Sequence, residues 1–236
     1  PHNFLMIRRP PRTTRWYRRR QRQMCIRDRC RSAHVTTYAE DKQRVYLICC
    51  HCLLVFVPPE HFLSAGKEKA RYEEHHNSPA DPAYRDFLGR LFTPLKIRLR
   101  AGTEGLDFGS GNGPTLSVMF EEAGFKMFIY DHFFARHPAV FNRTYDFITA
   151  TEVVEHLHHP REELDKLWAC LKPGGWLGIM TKQRVAKEKF NNWHYKRDLT
   201  HVCFYSRKTF DWLTHRWNAT AEFIDNDVVI VRKPFC

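Results

Sequence analysis

The sequence predicts an α/β protein in which helices cover both faces of a mostly parallel sheet. From Gly105 onward, short apolar segments of strand length alternate with amphipathic helical segments, which is the pattern of such sheets. A glycine-rich turn follows the first of these strands. The 236 residues are 43% hydrophobic and 27% charged, typical of a globular chain with one sizeable domain and a small appendage.

The N-terminal part predicts a hairpin followed by helices. Strand-like residues 44–48 and 53–57 flank a Cys-Cys-His-Cys turn, and Pro58 and Pro59 end the second strand because proline cannot donate to a ladder. Residues 61–76 are compatible with a helix. Residues 83–99 have apolar side chains at helical spacing, and we expect that helix to be interrupted near Pro94.

The remaining elements follow in alternation. The sequence predicts strands at residues 106–108, 126–130, 145–150, 176–180, 219–223 and 228–232, and helices at 115–123, 161–171 and 207–217. We therefore expect a hairpin unit at 30–60, a helical connector at 61–100 and the main domain at 101–236.

Residues 1–29 are expected to be a non-native, disordered segment. They lack amphipathic periodicity and resemble translated sequencing-adapter DNA. Residues 1–31 hold 11 arginines and one acidic residue, which leaves 27 basic and 25 acidic residues in 32–236. The net charge of +12 therefore lies almost wholly in this segment and is no argument for a nucleic-acid partner. With no signal peptide and no apolar run long enough for a membrane span, we expect a cytoplasmic protein without membrane contact.

Three cysteines have the spacing of half a zinc ribbon. Cys49 and Cys52 form a CxxC, and eighteen residues separate Cys30 from Cys49. Tetrahedral zinc needs four ligands, but Arg27 stands where the fourth is expected. We therefore expect an incomplete site that does not bind Zn²⁺ well in this chain, with His34 or Cys50 as the substitutes at hand.

The glycine turn is the strongest functional signal. Gly109, Gly111 and Gly113 follow a strand and precede a helix, so the backbone there is able to turn sharply and approach a ligand closely. The spacing is GxGxG, not the GxGxxG of dinucleotide sites, since Pro114 occupies the sixth position. Asp131 ends the next strand, where a carboxylate is placed to accept hydrogen bonds from ribose hydroxyls.

Four ordered motifs between residues 105 and 234 resemble the class I S-adenosylmethionine-dependent methyltransferases. They are Asp-Phe-Gly-Ser-Gly-Asn-Gly (107–113), Asp131, the stretch 145–156 and Leu-Lys-Pro-Gly-Gly-Trp (171–176). The resemblance implies a Rossmann-like sheet of seven strands with an antiparallel last hairpin. The cysteine hairpin followed by Val-Phe-Val-Pro-Pro also resembles bacterial members that carry an N-terminal ribbon.

The resemblance implies a set of cofactor-binding residues. Asp107, Gly109, Ser110 and Gly111, in the turn that Gly113 completes, are expected at the methionine side, and Asp131 at the ribose. Thr151 and Glu152 are expected beside the sulfonium. The usual third strand has no counterpart in residues 132–144, so the adenine contacts cannot be assigned.

A second motif suggests where a metal would bind. Glu152, Glu155 and His156 have the i, i+3, i+4 spacing of one helical face, and His201 follows later in the chain. This set resembles the metal ligands of small-RNA 2′-O-methyltransferases, and GluxxGluHis resembles quinol O-methyltransferases, so we expect a Mg²⁺ site. The alternative is that Glu152 contacts the cofactor, Glu155 begins a helix and His156 is a packed histidine.

Candidate catalytic residues lie after the predicted strand 176–180, which is the fifth strand in the order of the family that the chain resembles. His194 and Tyr195 are placed to orient or deprotonate an acceptor, with His201 close behind. The expected reaction is methyl transfer to a hydroxyl of a small molecule. The alternatives are an RNA or protein methyltransferase that uses the ribbon for substrate contact, and a non-catalytic cofactor-binding or interaction module.

Overall fold

A computed structural model describes residues 34–74 and 77–235. Cys30, Arg27 and the expected non-native segment 1–29 lie outside these residues. The described chain forms two sheets, and no helix among its residues has the length and apolar character needed to cross a bilayer.

The smaller sheet is antiparallel and contains the cysteine hairpin. Its strands are Val35–Glu40 (β1), Val45–Cys49 (β2), Val55–Phe56 (β3) and, from much later in the chain, Cys203–Phe204 (β8). β3 pairs with β8 through Val55–Phe204 and Phe56–Cys203. The hairpin, expected as a separate unit at residues 30–60, therefore shares a sheet with a strand from the domain expected at 101–236.

The larger sheet has six strands in the order β5-β4-β6-β7-β10-β9. These strands are Glu104–Phe108 (β4), Lys126–Tyr130 (β5), Tyr145–Thr151 (β6), Leu171–Met180 (β7), Ala221–Ile224 (β9) and Val228–Arg232 (β10). β4 to β7 are parallel and β10 runs antiparallel between β7 and β9. The expected fold class is confirmed, but the sheet has six strands, because the chain forms a 3₁₀ turn at Pro138–Asn142 where the third strand of the family would lie.

Helices cover both faces of the larger sheet. They are Ala65–Glu73 (α1), Pro82–Lys96 (α2), Thr115–Glu122 (α3), Pro160–Ala169 (α4), Lys187–Phe190 (α5) and Arg207–Arg216 (α6). α2 and α3 pack on one face, where Leu91, Phe120 and Phe147 share a core cluster. α4 and α6 pack on the other, where Leu167 and Phe210 join the core that continues into the smaller sheet.

The expected interruption at Pro94 is wrong. Helix α2 continues through Pro94 to Lys96. Proline lacks the backbone N–H that would donate to residue 90, but that loss falls in the last turn of the helix, where few further bonds depend on it. Asp81 caps the other end by accepting from the N–H groups of Ala83 and Tyr84.

Candidate functional site

A cavity of about 640 Å³ opens at the carboxyl ends of β4, β5 and β6. This is the edge at which parallel α/β sheets bind ligands, because the loops after neighbouring strands meet there. Its lining includes the end of β4 and the turn after it (108–112), the end of β5 and the loop after it (130–134), and residues 151–153 and 156–159 at and after the end of β6. The opposite wall comes from α1 and from the segment 195–201.

The glycine turn forms one end of this cavity. Gly109 and Gly111 have φ values of +77° and +66°, in the left-handed region that favours glycine. A Cβ on Gly109 would lie 2.2 Å from Cγ2 of Val153, so the turn also needs the close approach of the segment after β6. Ser110, buried in the same turn, has an Oγ without a hydrogen-bond partner among the described residues.

Asp131 lies against this turn. Its Oδ2 accepts from the N–H of Gly111 at 3.0 Å, and its Oδ1 accepts from the N–H groups of Phe133 and Phe134 at 2.8 and 3.0 Å. The carboxylate thus joins the ends of β4 and β5 and lies on the cavity wall. This placement is compatible with the expected ribose contact.

Asp107 and Gly113 are placed differently from the other expected cofactor residues. The carboxylate of Asp107 is 4% exposed and accepts from Ser117 Oγ at 3.1 Å and Thr149 Oγ1 at 2.7 Å. A Cβ on Gly113 would lie 2.1 Å from the carbonyl oxygen of Asn77. Neither residue is among those that line the cavity in the described chain, so each contributes through packing beneath the turn.

Burial raises the pKa of Asp107 to about 6, although its two hydroxyl donors act in the opposite direction. The carboxylate is therefore mostly ionised at neutral pH, at a cost to stability that falls away in mild acid.

The stretch 152–156 does not form the helical face that its spacing suggests. Glu152 has a φ of +51°, and a 3₁₀ turn at Val154–His156 follows it. Glu152 therefore precedes the turn that carries Glu155 and His156 and is not part of it. Thr151 and Glu152 both line the cavity, and Thr151 Oγ1 and Glu152 Oε1 are buried without a partner among the described residues.

Tyr195 links the two glutamates. Its hydroxyl donates to Glu155 Oε1 in a short hydrogen bond, and it lies 3.5 Å from Glu152 Oε2 and 3.3 Å from Thr181 Oγ1. Burial raises the pKa of Glu155, and burial together with repulsion from Glu155 raises the pKa of Glu152. Burial therefore shifts both carboxyl groups toward their protonated form.

Two histidine rings pack beside this pair. His201 Nδ1 lies 2.7 Å from the carbonyl oxygen of Tyr195, and His156 Nδ1 lies 3.2 Å from that of Thr200. Their ring centroids are 4.7 Å apart. Burial and the neighbouring His156 lower the pKa of His201 to about 4, so this ring is neutral, with its proton on the nitrogen that faces the carbonyl.

Three of the four expected metal ligands lie together. Glu155, His156 and His201 each offer a ligand atom, and these atoms lie within 4.8 Å of one another. A ring that donates from Nδ1 to a carbonyl presents Nε2, which is the usual orientation of a metal-binding histidine. Glu155 Oε2 is buried without a partner among the described residues, so the group fits a divalent cation, whereas Glu152 lies outside it.

His194 is separated from the other catalytic candidates. Its side chain is exposed and its Nε2 lies 3.1 Å from Lys182 Nζ. It does not line the cavity, whereas Tyr195 and His201 both do.

The cysteines of the CxxC lie at the turn between β2 and β3 of the smaller sheet. Cys49 and Cys52 are buried and Cys50 is exposed, while Cys30 lies outside the described residues. Within the part of the chain that is described, these cysteines do not join a group of three ligands. The zinc site therefore stays a prediction.

Sequence reasoning missed the contribution of α1. Glu68 and Tyr72 lie one turn apart on this helix, and both line the cavity. The Tyr72 hydroxyl donates to Glu68 at 3.1 Å, and the Tyr72 ring meets His156 edge to face at 5.3 Å. Their spacing of four was visible in the sequence, but nothing in it placed the helix over the site.

Comparison with known proteins identifies the family. A family model described as "Methyltransferase domain" matches residues 73–222, which is more than half of the chain. The search of curated proteins gave no match.

Solved structures show the same fold at low sequence identity. The 1,6-didemethyltoxoflavin-N1-methyltransferase of Burkholderia thailandensis, with bound 1,6-didemethyltoxoflavin and S-adenosylhomocysteine, is 15% identical with a TM-score of 0.53, over 83% of this chain and 98% of that one. Human N-acetylserotonin methyltransferase, in complex with S-adenosylmethionine, is 13% identical with a TM-score of 0.50, over 71% and 55%. The chain belongs to the methyltransferase-domain family, within the class I S-adenosylmethionine-dependent methyltransferases.

Proposed function

We propose that this protein transfers a methyl group from S-adenosylmethionine to a hydroxyl of a small molecule. One observation carries the proposal: a single cavity joins the glycine turn and Asp131 to His201 and to Tyr195, whose hydroxyl is bonded to the buried Glu155. The first end suits a nucleoside cofactor. The second end offers groups that accept a proton from the molecule to be methylated.

The residues at the first end fit the cofactor. The turn at Gly109–Gly111 brings backbone to the cavity wall without a Cβ, and Asp131 supplies a carboxylate beside it. Ser110, Thr151 and Glu152 each keep a buried polar atom without a partner among the described residues, as expected where a polar ligand completes the hydrogen bonding. When bound, the sulfonium supplies the methyl group for an in-line displacement.

The chain's own work is alignment, exclusion of water and removal of a proton. Tyr72 and Phe133 lie 5.7 Å apart between ring centroids and cover the cavity between α1 and the loop after β5. The neutral His201 is held by its Nδ1 contact, so Nε2 is the nitrogen placed to accept the hydroxyl proton. Tyr195 orients Glu155 and Glu152 around the same space.

The size and charge of the site favour a small acceptor. A volume of about 640 Å³ falls within the range of roughly 300–1,000 Å³ typical of small-molecule pockets. Residues 32–236 carry nearly balanced charge, whereas binding to RNA depends on neutralising phosphates with a basic surface. Both points support a metabolite over an RNA.

We also propose that Glu155, His156 and His201 hold a divalent cation such as Mg²⁺ or Mn²⁺ when the acceptor is bound. The grouped ligand atoms and the buried Glu155 Oε2 support this. A cation there would lower the pKa of a bound hydroxyl, and His201 would then serve as a ligand and not as the base.

Transfer from S-adenosyl-[methyl-³H]methionine tests the function. The purified protein is offered catechols, phenols and aliphatic alcohols, with matched amines and a structured RNA as separate arms. We expect label in a hydroxyl compound. Label only in RNA, with strong salt dependence of binding, would instead support the macromolecular alternative.

Chelation tests the metal. EDTA is added to an active preparation, followed by Mg²⁺ or Mn²⁺ in excess. The proposal predicts loss and recovery of turnover. Unchanged turnover after EDTA would assign His201 to proton removal and reject the cation.

A further inference from the structure

A buried arginine in the N-terminal hairpin lies directly behind the segment that carries Tyr195 and His201. Arg44 is at the turn between β1 and β2, and it is 2% exposed. A charged side chain is rarely buried to this extent without a full set of partners, because removing it from water is costly.

The guanidinium of Arg44 uses all of its hydrogen-bonding capacity. Nε donates to the Tyr46 hydroxyl at 2.9 Å. The two terminal nitrogens donate to four backbone carbonyls, those of Lys196, Asp198, Leu199 and His201. Arginine has five N–H donors, so every donor has an acceptor, and four of the five acceptors belong to one short segment of the chain.

A second charged pair joins the same two segments. Lys196 is 6% exposed and forms an ion pair with Asp41, in the same hairpin turn as Arg44. Asp41 also accepts from the Tyr46 hydroxyl at 2.9 Å and from the backbone N–H of Arg44 at 3.1 Å. The turn and the segment 196–201 therefore fix each other through buried, directional contacts.

The far end of the segment is fixed by the same hairpin. The N–H of Val57, just after β3, donates to the carbonyl of Val202 at 2.8 Å, and β3 then pairs with β8. The N–H of Val202 donates to the carbonyl of Glu155 at 2.8 Å. The hairpin thus sets the backbone on both sides of His201 and, through Val202, its distance from Glu155.

We propose that Arg44 is a positioning residue for the acceptor end of the cavity, an inference that rests on the proposed methyl transfer. It holds the backbone carbonyl of Lys196, which is next to Tyr195, and that of His201. The positions of the Tyr195 hydroxyl and of the His201 ring therefore depend on Arg44. The hairpin therefore works as part of the active site. Among the described residues, none of the hydrogen bonds of the Arg44 guanidinium goes to residues 106–131, which form most of the cofactor end.

Arg44→Lys and Arg44→Ala test the inference. A lysine ammonium is a point charge with three donors and does not reach five acceptors arranged around a plane. We expect kcat with the hydroxyl acceptor to fall about a hundredfold, the loss typical of a small misplacement of reacting groups, while the Kd for S-adenosylmethionine is unchanged. Hydrogen–deuterium exchange of the amides at 199–202 should become faster, with that at 106–113 unchanged. Guanidinium ion added to Arg44→Ala should restore part of both signals.

Arg184→Met is the matched control. Arg184 also ties the hairpin to the main domain, through the Tyr38 hydroxyl, but it has no hydrogen bond to residues 195–201 among those described. Its replacement should lower stability without changing kcat or exchange at 199–202. If Arg44→Lys behaves like Arg184→Met in both measurements, Arg44 is only structural and the inference is rejected.

Asp41→Asn covers the case in which the Arg44 variants do not fold. It weakens the tie to Lys196 while leaving Arg44 in place, so we expect faster exchange at 199–202 and a smaller loss of kcat. Wild-type exchange and wild-type kcat in this variant would overturn the inference. Failure of the proposed function has a different signature. If the wild type does not bind S-adenosylmethionine, the effect of the variants on amide exchange at 199–202 is still measurable.

Discussion

The two ends of the cavity are built in opposite ways. The cofactor end comes mostly from one continuous stretch, residues 106–131, in which backbone N–H groups and glycines make most of the site, with Thr151 and Glu152 added from the end of β6. The acceptor end gathers residues from three separate segments: Tyr72, the pair Tyr195 and His201, and the buried Glu155 that is hydrogen-bonded to Tyr195. Arg44 fixes it from a fourth segment. A ligand site made of backbone tolerates changes in distant parts of the chain, whereas a site assembled from distant side chains depends on every segment that holds it.

The largest expected effect is at the cofactor end, from Gly109→Ala. The variant puts a side chain at a φ of +77° and drives a Cβ to 2.2 Å from Val153. We expect about 3 kcal/mol of lost stability, from backbone strain plus overpacking, and loss of S-adenosylmethionine binding. Calorimetry and denaturant unfolding measure the two effects.

Gly111→Ala is the matched control for that variant. Its φ is also positive, at +66°, but a Cβ there meets nothing within 4 Å, so only the strain of about 1 kcal/mol is expected. Adding Val153→Ala to Gly109→Ala should recover part of the loss. Equal destabilisation by Gly109→Ala and Gly111→Ala would show that the approach of Val153 is unimportant.

The next largest effect is at the acceptor end, from Tyr195→Phe. This removes the hydroxyl that donates to Glu155 and leaves a buried carboxylate without that donor. We expect about 2 kcal/mol of lost stability and a fall in kcat of roughly tenfold to hundredfold, the scale of a lost proton-handling group. The affinity for the cofactor should be unchanged. A parallel fall in cofactor affinity would contradict the separation between the two ends.

A smaller effect, on pH dependence, concerns the packing beneath the glycine turn. Burial raises the pKa of Asp107 to about 6 in the folded chain, above the ordinary value of an aspartate. A raised carboxylate pKa means that the folded state takes up the proton first, so stability increases as pH falls from 7 to 5, by about 1 kcal/mol. The difference between wild type and Asp107→Asn in free energy of unfolding, measured across that range, isolates the contribution. A flat difference would place the Asp107 carboxyl in a more polar setting.

The smallest effect is expected for His194→Ala. The ring is exposed and does not itself line the cavity, although its Nε2 contacts the lining residue Lys182, so stability and kcat should stay at wild-type levels. A loss of kcat as large as that of Tyr195→Phe would show that His194 acts at the acceptor end.

What the sequence predicts follows the same division. The glycine turn, Asp131 and the alternation of strands and helices are local patterns, and the structure places them as expected. The spacing of residues 152–156 predicts one helical face, and this prediction is wrong. The left-handed φ of Glu152 is set by tertiary structure and has no local signal in the sequence. Arg44 also escaped notice, since its acceptors are carbonyls more than 150 residues away.

For the third strand of the family, the local sequence pattern is again sufficient for a correct prediction. The segment between β5 and β6 was too short and too irregular for a strand, and the structure has a 3₁₀ turn at Pro138–Asn142 instead. The Pro94 expectation failed for the converse reason, because the effect of a proline depends on how near the helix end it lies.

Calorimetric titration of S-adenosylmethionine into the wild type and Asp131→Asn tests the central claim most directly. The account predicts one site per chain in the wild type and an affinity about tenfold weaker in the variant, since a charged hydrogen-bond acceptor is lost. No binding by the wild type, or equal affinity in the variant, would contradict a cofactor site at the glycine turn and Asp131.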